Sequence, residues 1–347
     1  MRADAYLHTL PKELLYVDFS GIIVTLIKLF ALIVIGFVMS RKGILDSNVN
    51  KGMTSLLVNV TNPCLMLGSL ASAGNIPQDT VLKVVIFGFA AYLLLPLVSY
   101  LIVRLARFPK DRRGVMQMLL VFSNTGFMAV PVMQALYGDV SVFYVNIMNI
   151  PFNFLCYTYG VYITAKDARL MAASQTGNEG PGPSDQPSAS DKAPVLNWKV
   201  LLTPGLVSSL LALILYFCHI SLPRPVSETF QYIGDITPPL SMLLIGSILG
   251  EFPLKCLVEN PKVNVFLTLK MLIFPVVFML AARMVFDDPM IIGITTLTFA
   301  MPCASMDIML TKQYGGQTRI ASAGVFYSTV LSLFTIPLVY LTLFRFF

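Results

Sequence analysis

Phe122-Ser123-Asn124-Thr125-Gly126-Phe127-Met128-Ala129-Val130-Pro131 and Phe299-Ala300-Met301-Pro302-Cys303-Ala304-Ser305-Met306-Asp307 are the two stretches that decide the fold. Each lies inside a long apolar run and interrupts it with proline and with small or polar residues. Proline removes one helical N–H and clashes with the preceding turn, and Gly126 lowers the cost of unwinding. In hydrocarbon, backbone freed in this way is tolerated only where protein buries it or a cavity is lined by it. Two broken membrane helices are therefore expected. A plainer reading stands beside that one: two kinked helices packed through small residues.

The rest of the composition fits a bilayer. Of the 347 residues, 56% are hydrophobic and 12% charged, against about 25% charged in soluble domains; the mean hydropathy is +0.75. The net charge of +6 comes from basic residues in short loops, which reads as orientation signalling and not as a nucleic-acid surface. The five cysteines (64, 156, 218, 256, 303) are scattered without a CxxC pair, so neither a disulfide framework nor a zinc site is indicated. The N-terminal MRADAYLHTLPKELLY lacks the apolar core of a cleaved signal peptide. It is expected to lie along the interface through Tyr6, Leu10, Leu14 and Leu15.

Ten runs reach the ~20 residues that a membrane crossing needs. They begin near Phe19, Met53, Val84, Val115, Val142, Val200, Ile233, Val265, Ile291 and Ala321. Residues 166–197, with QTGNEGPGPSDQPSASDKAP, cannot form a packed core and are expected to be a mobile hydrophilic linker. The organisation expected is residues 1–165, the linker, then 198–347. Alternate loops divide Lys and Arg sixteen to six, which places the linker in the cytoplasm and both termini outside.

The two halves resemble each other. Thr61-Asn62-Pro63-Cys64-Leu65 matches Ile236-Thr237-Pro238-Pro239-Leu240, and Pro96, Tyr137-Gly138 and Asn149-Ile150-Pro151 find counterparts in Pro275, Tyr314-Gly315 and Thr335-Ile336-Pro337. The offsets are 175, 179, 177 and 186 residues. Five spans per half is an odd number, so the second half is expected inverted, a geometry that supports alternating access around a midplane site.

That site is expected where the two breaks cross. Each half-helix N-terminus carries about half a positive charge, so the crossing suits a small anion. Asn124, Thr125, Gly126, Pro131, Pro302, Cys303 and Ser305 are the candidate ligands, with Asn62, Thr237, Asn146, Asn149 and Asn153 behind them. The three asparagines of the fifth run share one helix face. Asp307 costs about 2.5–3.5 kcal/mol at mid-depth. It reads as a cation or proton site, as a partner of the broken backbone, or as a neutral acid satisfied by a neighbour. Lys270 is expected to snorkel in part towards the interface, and Lys28 falls nearer mid-span, where spacing gives a partnership with Asp307 no support. The methionines and phenylalanines read as packing or lipid-facing groups, and the two Tyr-Gly pairs as helix stops.

The combination of Ser123-Asn124-Thr125-Gly126, Pro131, Tyr137-Gly138, Met301-Pro302 and Lys312-Gln313-Tyr314-Gly315 resembles the auxin efflux carrier family across essentially the whole chain. The resemblance implies an all-α membrane fold of two inverted five-helix repeats with crossed broken helices four and nine. It further implies a fold similar to bile-acid symporters and sodium/proton antiporters. Spans one, two, six and seven would make a scaffold and the remaining six a transport domain, with a homodimer formed through the scaffold. Asn124, Pro131 and Pro302 match the family's crossover residues; where plant members place a second proline, this chain has Asp307.

The function expected is a secondary transporter that moves a small organic anion, such as a carboxylate, by elevator-type alternating access in the cell membrane. No cofactor is expected, apart from coupling to Na⁺ or H⁺. A cation-coupled symporter of related fold and a membrane receptor that binds without transporting are the alternatives. Only His8 and His219 are present, without a catalytic motif or a phosphate-binding loop, so an enzyme or an ATP-driven pump is a poor fit.

Overall fold

The computed structural model of the chain describes residues 19–73, 76–176 and 203–346. The expected interfacial segment 1–16 and residues 177–197 of the expected linker lie outside the described residues. The described chain is helical throughout. It runs α1 (Phe19–Arg41), α2 (Ser47–Leu56), α3 (Asn62–Gly68), α4 (Leu70–Ala73), α5 (Gln78–Leu105), α6 (Arg113–Val121), α7 (Val130–Tyr137), α8 (Asp139–Leu155) and α9 (Val161–Thr176). After the undescribed stretch come α10 (Pro204–Phe217), α11 (Arg224–Gly234), α12 (Thr237–Gly250), α13 (Pro261–Arg283), α14 (Pro289–Ala300), α15 (Ser305–Tyr314) and α16 (Thr318–Phe346).

Wide π-helical turns at Leu57–Thr61, Thr125–Ala129 and Cys156–Gly160 join neighbouring pieces. Two of these turns run directly into Pro63 and Pro131, and the third follows Pro151, because a proline interrupts the regular ladder and the chain widens to satisfy the freed carbonyls. Among the described residues, six helical stretches are long and apolar enough to cross a membrane: Ser47–Ala73, Gln78–Leu105, Asp139–Met171, Arg224–Gly250, Pro261–Arg283 and Thr318–Leu343. Pro204–Phe217 and Pro289–Ala300 are shorter apolar helices. The chain is thus an all-α, multi-pass membrane protein.

Apolar side chains face outward along α5 (Leu82, Ile86, Leu93, Leu94, Leu97) and α13 (Val265, Leu269, Ile273, Val276, Leu280). In water such stripes would be an aggregation hazard; in a bilayer they match the solvent. The opposite extreme is α8, in which every residue from Ser141 to Phe152 is buried. Its asparagines Asn146 and Asn149 are therefore turned away from lipid, with Asn153 half-buried beyond them.

Glycine sets the closest helix approach, where α1 packs along α12. A Cβ on Gly36 would collide with the backbone carbonyl of Leu243, and one on Gly246 with that of Ile33. Without a hydrophobic drive between helices in lipid, such small-residue seams let backbones meet and gain dispersion contact. In a separate seam, α3 packs against α10 and α11.

The chain does not leave the helix at residue 166, where the linker was expected to begin. Instead α9 continues to Thr176. Asp167, inside this helix, has a structural role: its buried carboxylate accepts from Gly114 N (3.1 Å) and Val115 N (2.8 Å), capping the start of α6.

Candidate transport site

The two sequences that decide the fold meet in space. Helix α14 ends at Ala300 because Pro302 drives Met301 into an extended conformation (φ −62°, ψ 151°). Helix α6 ends at Val121, with Phe122 extended (φ −94°, ψ 114°). The freed strands pair antiparallel at Ser123 and Cys303. Asn124 N donates to Pro302 O at 2.7 Å and Ala304 N to Phe122 O at 3.2 Å. Each break thus supplies the backbone partners that the other lost, which is how buried irregular backbone is afforded inside a membrane.

Beyond the crossing each chain turns helical again. The Asn124 side chain accepts from Phe127 N (3.2 Å) and caps the turn that leads into α7. Thr125 Oγ1 donates to Asn149 Oδ1 on α8, and α15 starts at Ser305. Aromatic rings brace the crossing from behind. Phe278 stacks on Phe299 at 3.7 Å, and Tyr92 packs against both Phe299 (5.4 Å) and Phe152 (5.9 Å).

A cavity of about 740 Å³ opens on the starts of both half-helices, within the usual range for small-molecule sites. Asn124, Thr125, Gly126 and Phe127 line it from one break; Ala304, Ser305 and Met306 line it from the other. Asn149, Phe152, Asn153 and Tyr157 of α8 and its turn form a side wall. The facing wall comes from α2, the Leu57–Thr61 turn and α3, with Asn50, Lys51, Asn59, Asn62 and Met66, and from Glu251 and Phe252 at the end of α12. Lys312 lies further along α15.

Six of the candidate ligands, Asn124, Thr125, Gly126, Ser305, Asn62 and Asn153, line this cavity, as does Asn149. The Asn62 amide oxygen is buried without a hydrogen-bond partner. Pro302 and Cys303 sit inside the crossing itself and are not lining residues; Cys303 N donates to Ser328 Oγ at 3.0 Å. Pro131 lies beyond the break, in the first turn of α7. Asn146 and Thr237 are buried away from the cavity, with both Asn146 amide atoms and the Thr237 hydroxyl lacking partners. Asp307, in the first turn of α15, is fully buried, and neither carboxylate oxygen has a hydrogen-bond partner.

One lysine expectation is corrected. Lys270 does not snorkel: it is 2% exposed, and its ammonium donates to Leu119 O at 2.8 Å. Lys28 lies on an exposed face of α1 and forms no ion pair with Asp307. The Tyr-Gly pairs do stop helices, since Gly138 and Gly315 take φ of 76° and 75°. Several methionines and phenylalanines, Met66, Met306, Phe127 and Phe152 among them, line the cavity instead of facing lipid. The sequence reading missed the Asn50–Glu251 pair (2.7 Å) on the facing wall. Its only signal was a polar residue beside each of two apolar runs, Asn50 before the second and Glu251 after the seventh.

The sequence profile of the family described as "Membrane transport protein" matches residues 21–340. The chain belongs to this family of membrane transporters, the auxin efflux carrier family. An uncharacterized transporter of Methanothermobacter thermautotrophicus is 21% identical over 322 residues, covering 92% of this chain and 98% of its own length. An uncharacterized transporter of Methanocaldococcus jannaschii is 22% identical over 319 residues, covering 88% of this chain and 94% of its own. The family match spans both broken helices of this transporter, and the similarity to these relatives runs nearly end to end.

Proposed function

We propose that this transporter is a secondary carrier of a small organic anion, with the anion seated at the crossing of the two broken helices. One observation carries the reading: the Thr125–Ala129 turn that leads into α7 and the start of α15 open on one cavity beside the Ser123–Cys303 pairing. Two helix N-termini at one point favour negative charge. Asn124, Thr125, Asn149 and Ser305 add hydrogen-bonding groups, and Phe127, Phe152 and Met306 receive the apolar body of a carboxylate.

On this reading the chain has ten spans. Two are the broken helices α6–α7 and α14–α15, which are too short in their pieces to count as continuous crossings. The two halves are inverted repeats, with both termini outside and the linker in the cytoplasm. The α1, α2–α3, α10 and α11–α12 group is the scaffold, through which two copies pair. The remaining helices carry the site past it in an elevator motion. The cavity fits that division, because one wall is built from α2, α3 and α12 and the other from the crossing and α8.

The test is thermal stabilisation of the purified protein by a panel of small carboxylates, since a ligand that binds only the folded state raises its apparent stability by mass action. A carboxylate that stabilises the native protein and loses its effect in Asn124→Ala supports the seat. A stabilising carboxylate that is indifferent to Asn124→Ala contradicts it. Asp307 favours a second reading, coupling to a cation, because a buried carboxylate without a partner is costly in a membrane. Transport by Asp307→Asn that no longer responds to an imposed ion gradient supports that reading; an unchanged response removes it.

A further inference from the structure

Lys270 takes no part in lining the cavity, yet its position is specific. It projects from α13 behind the crossing, 2% exposed. Its Nζ donates to Leu119 O at 2.8 Å and lies 3.5 Å from Phe122 O and 4.0 Å from Cys303 Sγ. Leu119 and Phe122 belong to the last turn and terminus of α6, where carbonyls have no further helical N–H to accept from. The C-terminal end of a helix carries about half a negative charge. Cys303 Sγ also donates to Leu119 O, at 3.2 Å.

Unwound carbonyls at the end of a half-helix are the groups with which broken-helix carriers hold their coupling cation. Here an ammonium on a neighbouring helix already occupies that place. The buried carboxyl group on the opposite break, Asp307, forms no ion pair with Lys270 within 4 Å. A buried ammonium is tolerated only where it is hydrogen-bonded and electrically compensated. The carbonyls of α6 supply the hydrogen bonds, and the negative end of that helix supplies the compensation.

We propose that the Lys270 ammonium is a tethered substitute for a coupling metal cation: it fills the carbonyl seat at the end of α6 and holds the crossing assembled without sodium or potassium. For transport, which rests on the anion-carrier reading above, the consequence is that the carrier binds no alkali cation at this seat. The seat itself is tested without any substrate.

The experiment is thermal unfolding of the purified full-length protein at fixed ionic strength in choline, sodium, potassium or n-propylammonium chloride. The native protein is expected to unfold at the same temperature in all four. Lys270→Ala opens the seat and is expected to unfold lower in choline. Sodium or n-propylammonium is then expected to raise its Tm by about 2 °C or more in a saturable manner, as a bound ligand does. Lys270→Met removes the charge but fills the space, and is expected to show no such response. The last comparison separates a cation seat from a merely structural lysine.

A native protein stabilised by sodium over choline overturns the proposal, as does an alanine variant that responds no more than the methionine variant. Should Lys270→Ala not survive extraction in choline, it is extracted in n-propylammonium; recovery there alone is the same rescue, and aggregation in both salts overturns the proposal. Failed rescue leaves the anion seat standing, and a carboxylate effect indifferent to Asn124→Ala leaves the cation seat standing.

Discussion

At the scale of single residues, Asn124 joins the two breaks. Its N–H reaches Pro302 O, its carbonyl accepts from Met128 N and Ala129 N, and its side chain caps Phe127 N. Loss of such a cap costs about 0.5–2 kcal/mol, so Asn124→Ala is expected to lower thermal stability modestly while abolishing the carboxylate response. Asn124→Asp separates these effects. Aspartate caps as well as asparagine but brings a negative charge to an anion seat, so it is expected to retain more stability than alanine and still lose the response. A thermal-shift comparison of the two variants decides it; carboxylate binding retained by Asn124→Asp contradicts the seat. Thr125→Val leaves Asn149 Oδ1 buried without its donor, at a cost of about 1–3 kcal/mol, measurable as a lower denaturation temperature. Asn124, Thr125 and Ser305 were legible in the sequence because polar groups inside apolar runs need a reason. The setting of Lys270 is not legible, because snorkelling follows a residue's own helix whereas its partner carbonyls lie on α6, 151 residues earlier at Leu119.

At the scale of helices, proline placement explains one break and not the other. Pro302 ends α14 directly. Pro131 lies beyond the first break, and that break is made by Phe122–Asn124, where side chains compete with the helix ladder for backbone groups and the facing strand supplies substitutes. Sequence identified the interruption; the strand that stabilises it belongs to the other half of the chain. Asp167 is a similar case, a polar residue read as the start of a linker that holds the first turn of α6. Asp167→Ala is expected to destabilise the protein by about 0.5–2 kcal/mol, seen as a lower Tm with the carboxylate response intact. The seam between α1 and α12 is less forgiving. Gly246→Leu would force the helices apart, and overpacking of this kind costs about 1–3 kcal/mol or more. Loss of monodisperse protein in size-exclusion chromatography is the expected outcome, and a fully stable Gly246→Leu protein would show that the seam is loose.

At the scale of the molecule, hydropathy alone established a multi-pass helical protein, and the family match agrees. The cavity was legible mainly on one side. Residues of the breaks announce themselves in the sequence, but on the facing wall only Asn62 did; Asn50, Lys51 and Glu251 lie near helix ends that look like ordinary loop-flanking positions until the chain brings them opposite the crossing. On the proposed carrier reading, a wall built from α2, α3 and α12 facing a wall built from the crossing suits a moving site, since an anion would leave one wall while staying on the other. The measurement that tests this most directly is counterflow of labelled small carboxylates in proteoliposomes, comparing native protein with Asn124→Ala shown to be folded. The account predicts exchange of at least one carboxylate by the native protein and its loss in the variant; exchange that persists undiminished in Asn124→Ala, or carboxylate binding by the native protein with no exchange at all, would contradict it.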